Sequence, residues 1–532
     1  MNKFKFFIIA LVFLFAVILR LWNLNEMGRT WDEHSYVING YNFIEFLKKG
    51  DINNKYFYEN TDHPPLARYL YGIASLFDVK DKNPNKNYFY SQTEPTFKFD
   101  LTYSRLVSVI FSSISVIFVV LIGWQISALV GIVAGLILTT LPFFLGLSQL
   151  VTLESFIMLF FTATIYFFFL FLNTNKKKHL ILSGIMLGFS MLTKYTNVML
   201  YPLLLIIYLI YYFKSNHKKK IPFTKVLLIF SISIFIFIFM WPMPWFHLKD
   251  VFEYNQKLRF ADTQYSIPEV FFGKLLLVPV FYYVVHFIIT TPLATLLLFL
   301  LGLKVVSDIN VKTNKLNIKS SFLLKNVEKI GSNKINWVLI STVVWFCFPF
   351  LQSFYNFRQH GIRYIIQVYA PFSIISAIGF MWVFNLFKKS WQKTLIILIG
   401  IIYLIIPLLR ISPYYLDYFN SLVGGSKNVY EKKMFQMGWW GQGLKEAAVY
   451  LNNNAKKGST VGLAVVPLFS VPEMKNLIQE NYNSSKTYDY VMVSYFNVVR
   501  EGFDDSIIKN KYKLVYAVMA DGAHLVDVYR LK

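Results

Sequence analysis

The chain has 532 residues, 55% of them hydrophobic and 15% charged, with a formal net charge of +24. Its apolar residues gather in long runs, which excludes a soluble single-core protein and specifies a multi-span membrane protein. The lysines fall in short segments between those runs, so they mark a membrane face, and no nucleic-acid partner is expected.

Residues 4–22 form the first apolar run. No small-residue cleavage site follows, only Trp22, Asn23 and Leu24, so an uncleaved span is expected. The loop 23–102 comes next and carries the stretch Arg29-Thr30-Trp31-Asp32-Glu33-His34. Residues 33–49 are predicted as an amphipathic helix with Tyr36, Ile44 and Leu47 among its apolar positions. Residues 65–77 open with Pro65 and are too short to cross a bilayer, so a second surface helix is predicted.

Further spans are expected near 103–122, 126–146, 150–172, 179–194, 196–213, 224–244, 286–304, 336–353, 364–386 and 393–411. Lys176, Lys177 and Lys178 precede the runs 179–194 and 196–213, and Lys214, Lys218, Lys219 and Lys220 follow them. Both clusters belong on the cytoplasmic side, which makes the two runs a hairpin. The loop 305–335, rich in lysine, is placed inside as well. About eleven spans then leave the N-terminus cytoplasmic and put 23–102, 245–285, 354–363 and the tail outside. Cys347 is the single cysteine, so no intramolecular disulfide forms.

After Arg410 the pattern changes. A helix is predicted over 443–456 and strands over 459–465, 488–495, 512–518 and 524–530. The expected organisation is a transmembrane catalytic part, 1–411, and an extracytoplasmic α/β domain, 412–532.

Three acidic groups carry candidate chemistry on the outer side. Asp32-Glu33 reads either as a solvated helix start or as a general base, Asp32, with Glu33 holding a sugar or a neighbouring cation. Asp62-His63 precedes the rigid Pro64-Pro65 turn. Glu154 opens the fourth span, where a carboxylate can also snorkel. Arg68, Arg105, Lys194, Arg358, His360 and Arg363 fall near the same face, against the usual positive-inside bias. They are either headgroup contacts or donors to a phosphate. No nucleotide-binding or zinc-protease motif occurs, and the histidines show no metal spacing. No cofactor is demanded, although the carboxylates Asp32, Glu33 and Asp62 are compatible with a divalent metal.

These motifs in this order resemble the polytopic GT-C glycosyltransferases of the protein O-mannosyltransferase and aminoarabinose-transferase type. The resemblance rests on Trp31-Asp32-Glu33, His63-Pro64-Pro65-Leu66, Tyr103-Ser104-Arg105-Leu106, Leu192-Thr193-Lys194-Tyr195, and Arg363-Tyr364 with Pro371. In the tail, Tyr418-Phe419-Asn420, Gly424-Gly425 and Trp440-Gly441-Gln442 are similar to a prokaryotic branch. Where the family often has Arg-x-x-x-x-Asp, this chain has Gln149 and Glu154. The resemblance implies an inverting transferase that takes a sugar from a polyprenyl-phosphate donor at the extracytoplasmic face of the cell membrane. It implies Asp32 as general base, Glu33 orienting sugar or acceptor, and the arginines on the phosphate. The acceptor is left open among lipid, glycan and protein. A transporter or flippase of lipid-linked sugars is the competing reading; it calls for ionisable residues in mid-span, whereas those here gather at span ends.

Overall fold

The computed structural model describes residues 3–54, 63–80, 100–214, 220–250, 252–253, 268–277, 279–313, 332–353 and 361–532. The protein is mostly helical, with a small sheet at its C-terminal end. Among the described residues five helices are long and apolar enough to cross a membrane: Thr102–Trp124, Glu154–Thr174, Tyr195–Lys214, Gly361–Leu386 and Ser390–Ile411. The chain is therefore a multi-pass membrane protein.

Two runs expected as single spans are broken. Ala128–Thr140 and Pro142–Ser148 bend by 70°, and Tyr282–Thr290 and Leu293–Asp308 bend by 115°. The cause is proline. Leu141 and Thr291 precede Pro142 and Pro292 and take extended ψ values of 116° and 135°, because the proline ring disfavours a helical residue before it. If each bent pair is one span the number rises to 7, with Phe223–Phe239 and Trp337–Leu351 as shorter apolar helices. The runs 179–194 and 196–213 are separate helical segments, Lys177–Met191 and, after a break at 192–194, Tyr195–Lys214.

Small residues let the helices approach closely. A Cβ on Gly131 would lie 2.5 Å from Val120 O, and one on Gly379 would lie 1.9 Å from Leu298 O. Glu154–Thr174 packs between Thr102–Trp124 and Lys177–Met191. Both predicted helices form, as Glu33–Lys48 and Leu66–Asp78, but the first does not lie on the surface, since every residue from Tyr36 to Phe43 is buried. They cross at Gly40 and Gly72, where a Cβ on Gly72 would meet Gly40 O at 2.2 Å. The Tyr71 hydroxyl donates to Thr152 O (2.6 Å), and the Leu66 amide donates to Leu192 O (3.1 Å). These bonds fix the Leu66–Asp78 helix to two turns of the membrane part.

A short hairpin, β1 (Glu269–Phe271) and β2 (Lys274–Leu276), precedes the 282–290 helix. The C-terminal sheet comprises β3 (Thr460–Ala464), β4 (Ile478–Asn481), β5 (Tyr490–Ser494), β6 (Tyr512–Ala520) and β7 (Ala523–Leu531). Its order is β4-β3-β5-β7-β6. β3 pairs parallel with β4 and β5, and β7 pairs antiparallel with β5 and β6. Asp521 and Gly522, both at positive φ, make the two-residue β6–β7 turn. The helix Leu444–Asn454 lies against β6 and β7. Four of the five strands follow the Val- and Tyr-rich runs in the sequence. β4, with the polar sequence Ile-Gln-Glu-Asn, is added by pairing at a sheet edge.

Candidate functional site

Asp32 and Glu33 are neighbours in sequence but serve different cations. Asp32 is the N-cap position of the Glu33–Lys48 helix and Glu33 its first residue. Glu33 is fully buried. Arg105 grips it in bidentate fashion, Nε to Oε1 at 2.8 Å and Nη2 to Oε2 at 2.7 Å. The amides of Thr30 (2.9 Å) and Val151 (3.0 Å) complete its shell. Arg105 spends its remaining N–H groups on Leu24 O, Asn25 Oδ1 and Gly28 O. Glu33 and Arg105 are thus bonded to one another and to the surrounding backbone on every side-chain polar atom. Glu33 is thereby paired with a neighbouring cation. The pair is a buried staple between the first loop, the 102–124 helix and the turn before Glu154.

Asp32 keeps 29% of its side chain exposed, and its Oδ2 accepts from Arg363 Nη2 at 2.9 Å. Arg363 Nε lies 3.3 Å from Oε1 of the buried Glu154. One guanidinium thus stands between two carboxylates, and its flat face lies over the Trp440 ring, 4.4 Å from the centroid. Tyr364 presents its ring to both Arg363 (5.3 Å) and the Lys194 ammonium (4.3 Å). Glu154 Oε2 has no hydrogen-bond partner among the described residues. Asp32, Glu154, Lys194 and Arg363 therefore converge, from four distant parts of the chain.

Arg68 is buried; its Nη1 donates to His63 O (3.2 Å) and its guanidinium lies 5.6 Å from the Phe43 ring centre. It braces the half-buried His63-Pro64-Pro65 turn. Asp62, Arg358 and His360 lie outside the described residues. Gln149, in the place of the family's arginine, donates to Arg20 O and Trp22 O and ties the end of the first helix to the 142–148 segment. Among the described residues no group of three His, Cys, Asp or Glu side chains could hold a metal. Both oxygens of Glu33 already accept from Arg105, Thr30 and Val151, so Glu33 offers none to a metal shared with Asp32.

Several site residues had no local signal. The Trp31 amide donates to Trp440 O at 3.2 Å. Phe469, from the C-terminal region, contacts both the Trp31 ring (5.7 Å) and the His34 ring (4.6 Å). Burial lowers the pKa of His34, which keeps the imidazole neutral at pH 7. Asp417 accepts from the Gly438 amide (2.7 Å) and so holds the turn that carries Trp440. Burial pushes its carboxyl up to about 7. Behind Arg363, the Gly361 amide donates to the Tyr282 hydroxyl (2.9 Å), which itself donates to Glu269 on β1.

Residues 81–241 match the family model described as dolichyl-phosphate-mannose-protein mannosyltransferase. The resemblance to the GT-C glycosyltransferases holds. The match covers under a third of the chain and includes Arg105, Glu154 and Lys194. No curated protein matches the sequence. Among solved structures, the S. cerevisiae protein O-mannosyltransferase Pmt1-Pmt2 complex bound to the sugar donor is similar at 20% identity, with a TM-score of 0.35 over 52% of this chain. This chain spans 37% of the length of that one. ArnT from Cupriavidus metallidurans bound to undecaprenyl phosphate is similar at 11% identity and a TM-score of 0.46, over 98% of this chain and 97% of that. The archaeal oligosaccharyltransferase AglB from Archaeoglobus fulgidus, in complex with an inhibitory peptide and a dolichol-phosphate, gives 10% identity and a TM-score of 0.48, over 100% of this chain and 74% of that.

Proposed function

We propose that the protein is an inverting membrane glycosyltransferase that moves a sugar from a polyprenyl-phosphate donor to an acceptor hydroxyl at the extracytoplasmic face. The observation that carries this reading is the Asp32–Arg363–Glu154 cluster. Asp32 is the acid of the pair that stays accessible, and its ion pair uses Oδ2 alone. In this reaction the acceptor hydroxyl passes its proton to Asp32 as its oxygen bonds to the anomeric carbon. The bond from that carbon to the polyprenyl phosphate breaks on the opposite face, so the configuration inverts and the phosphate leaves as an anion. Lys194 and Arg363 stabilise that anion in a site poor in water, where fixed charges act more strongly than in bulk solvent. Glu154, with Oε2 uncommitted, accepts from a sugar hydroxyl, and Trp440 forms an aromatic wall behind Arg363. Glu33 and Arg105 position Asp32 without touching substrate. The donor class rests on the family match over 81–241.

The test is transfer by purified protein from a panel of polyprenyl-phosphate sugars, with mass analysis of the acceptors. Asp32→Asn is expected to slow transfer by about 10²- to 10⁴-fold, the usual worth of a general base, at unchanged insertion and melting temperature. Wild-type turnover in that variant rules out the base assignment.

A further inference from the structure

A second site lies at the far end of the last apolar helix, Ser390–Ile411. A cavity of about 810 Å³ opens there between the helix, the loop 418–427 and the β6–β7 turn at Asp521 and Gly522. Its long wall is apolar. Ile399, Ile402 and Ile406 line it and are at the same time 56%, 54% and 47% exposed. Only 11% of the most apolar stretch of this helix is buried inside the protein, so in a membrane it faces lipid. The cavity is thus continuous with the lipid-facing surface, and its occupant enters sideways from the bilayer.

Its mouth is polar and carries an excess of positive charge. Arg410 and Lys427 line it, with side chains 68% and 66% exposed, against one lining acid, Asp521. Asp521 Oδ1 lies 3.2 Å from Arg410 Nε, which leaves both terminal nitrogens of the guanidinium for another acceptor. Lys427 lies 3.7 Å from Glu431, an exposed contact one helical turn away and screened by water. Between the two cations the floor is bare. A Cβ on Gly425 would meet no atom within 4 Å. An apolar slot below two cations and an open floor matches a lipid whose tails lie along the helix and whose phosphate meets arginine and lysine.

We propose that this cavity binds an anionic glycerophospholipid of the surrounding bilayer, apart from the site at Asp32 and Arg363. The proposal rests on the membrane-protein reading and is independent of the reaction at Asp32. It is tested on the full chain in vesicles that carry trace photoactivatable phosphatidylglycerol or photoactivatable phosphatidylcholine, with crosslinks mapped by peptide mass. Labelling of residues 399–427 by the phosphatidylglycerol probe is expected to exceed that by phosphatidylcholine about tenfold, the order set by two cations near an anionic headgroup. R410Q/K427Q is expected to lose that excess, and R410K/K427R to keep it. Asp32→Asn is expected to label like wild type, so loss of the transferase reading leaves this one standing. Equal labelling by the two probes overturns the proposal, as does undiminished labelling of a folded R410Q/K427Q variant. Displacement of phosphatidylglycerol by an equal concentration of polyprenyl phosphate also overturns it, by assigning the cavity to the carrier. The comparison of probes on the wild-type protein stands even if the double variant fails to fold.

Discussion

Two adjacent carboxylates here have opposite fates. Glu33 disappears into a closed shell of four donor atoms, while Asp32 remains partly open beside Arg363. Removing one partner of a buried ion pair leaves the other charge unpaired, which costs about 3–5 kcal/mol. Glu33→Gln is therefore expected to lower stability on that scale, measured by thermal unfolding in detergent. The double variant Glu33→Gln with Arg105→Gln is expected to be less destabilised than the two single changes summed, since it leaves no orphaned charge. Additive losses would show that the staple is not the dominant contact of either residue. Asp32 and Glu33 could be picked out in the sequence because acids are uncommon beside an apolar run. Their division of labour could not, since it depends on which arginine each backbone position meets. Trp440 was legible only as part of a tail motif, and Asp417 gave no signal. Their importance comes from a carbonyl that accepts from Trp31 and a carboxylate that accepts from Gly438.

At the level of elements, apolar length and period located most helices, and proline explains where this failed. Pro142 and Pro292 are visible in the sequence, and the residues before them leave the helical region. Strand β4 escaped because four residues at an edge show no alternation, and β1–β2 because three-residue strands fall below any period. The crossing of Glu33–Lys48 and Leu66–Asp78 was hidden for another reason. The second helix is amphipathic and the first is buried on every face from Tyr36 to Phe43, yet what brings them together is the absence of a side chain at Gly40 and Gly72. Gly72→Ala sets two effects against each other. Helix propensity favours alanine by about 1 kcal/mol, whereas overpacking costs about 1–3 kcal/mol. With a backbone oxygen 2.2 Å from the new Cβ, overpacking wins. The variant is expected to melt lower and to transfer more slowly although Asp32 is intact. A higher melting temperature would mean that the helices separate without loss.

For the molecule as a whole, Asp417 makes stability depend on pH. Its folded-state pKa is raised to about 7 from 3.8, so between these values the folded protein binds a proton that the unfolded chain releases. Stability contributed by the protonated group is full below pH 4 and declines as the pH rises toward 7, by up to about 4 kcal/mol in all. Asp417→Asn keeps an oxygen for the Gly438 amide and removes the titration. It is expected to flatten the fall in melting temperature between pH 5 and pH 8 and to melt higher than wild type at pH 8. An unchanged slope would mean that another group titrates.

Arg363 reaches Asp32 from 331 positions along the chain, and the aromatic ring behind it arrives only at residue 440. Because translation runs from the N-terminus, Asp32 is made long before its partners exist. A polypeptide that ends at residue 411 lacks Trp440 and Phe469, and under the proposed reaction it is expected to be inactive. Assembly of this cluster is thus withheld until the segment that carries Trp440 and Phe469 has been made.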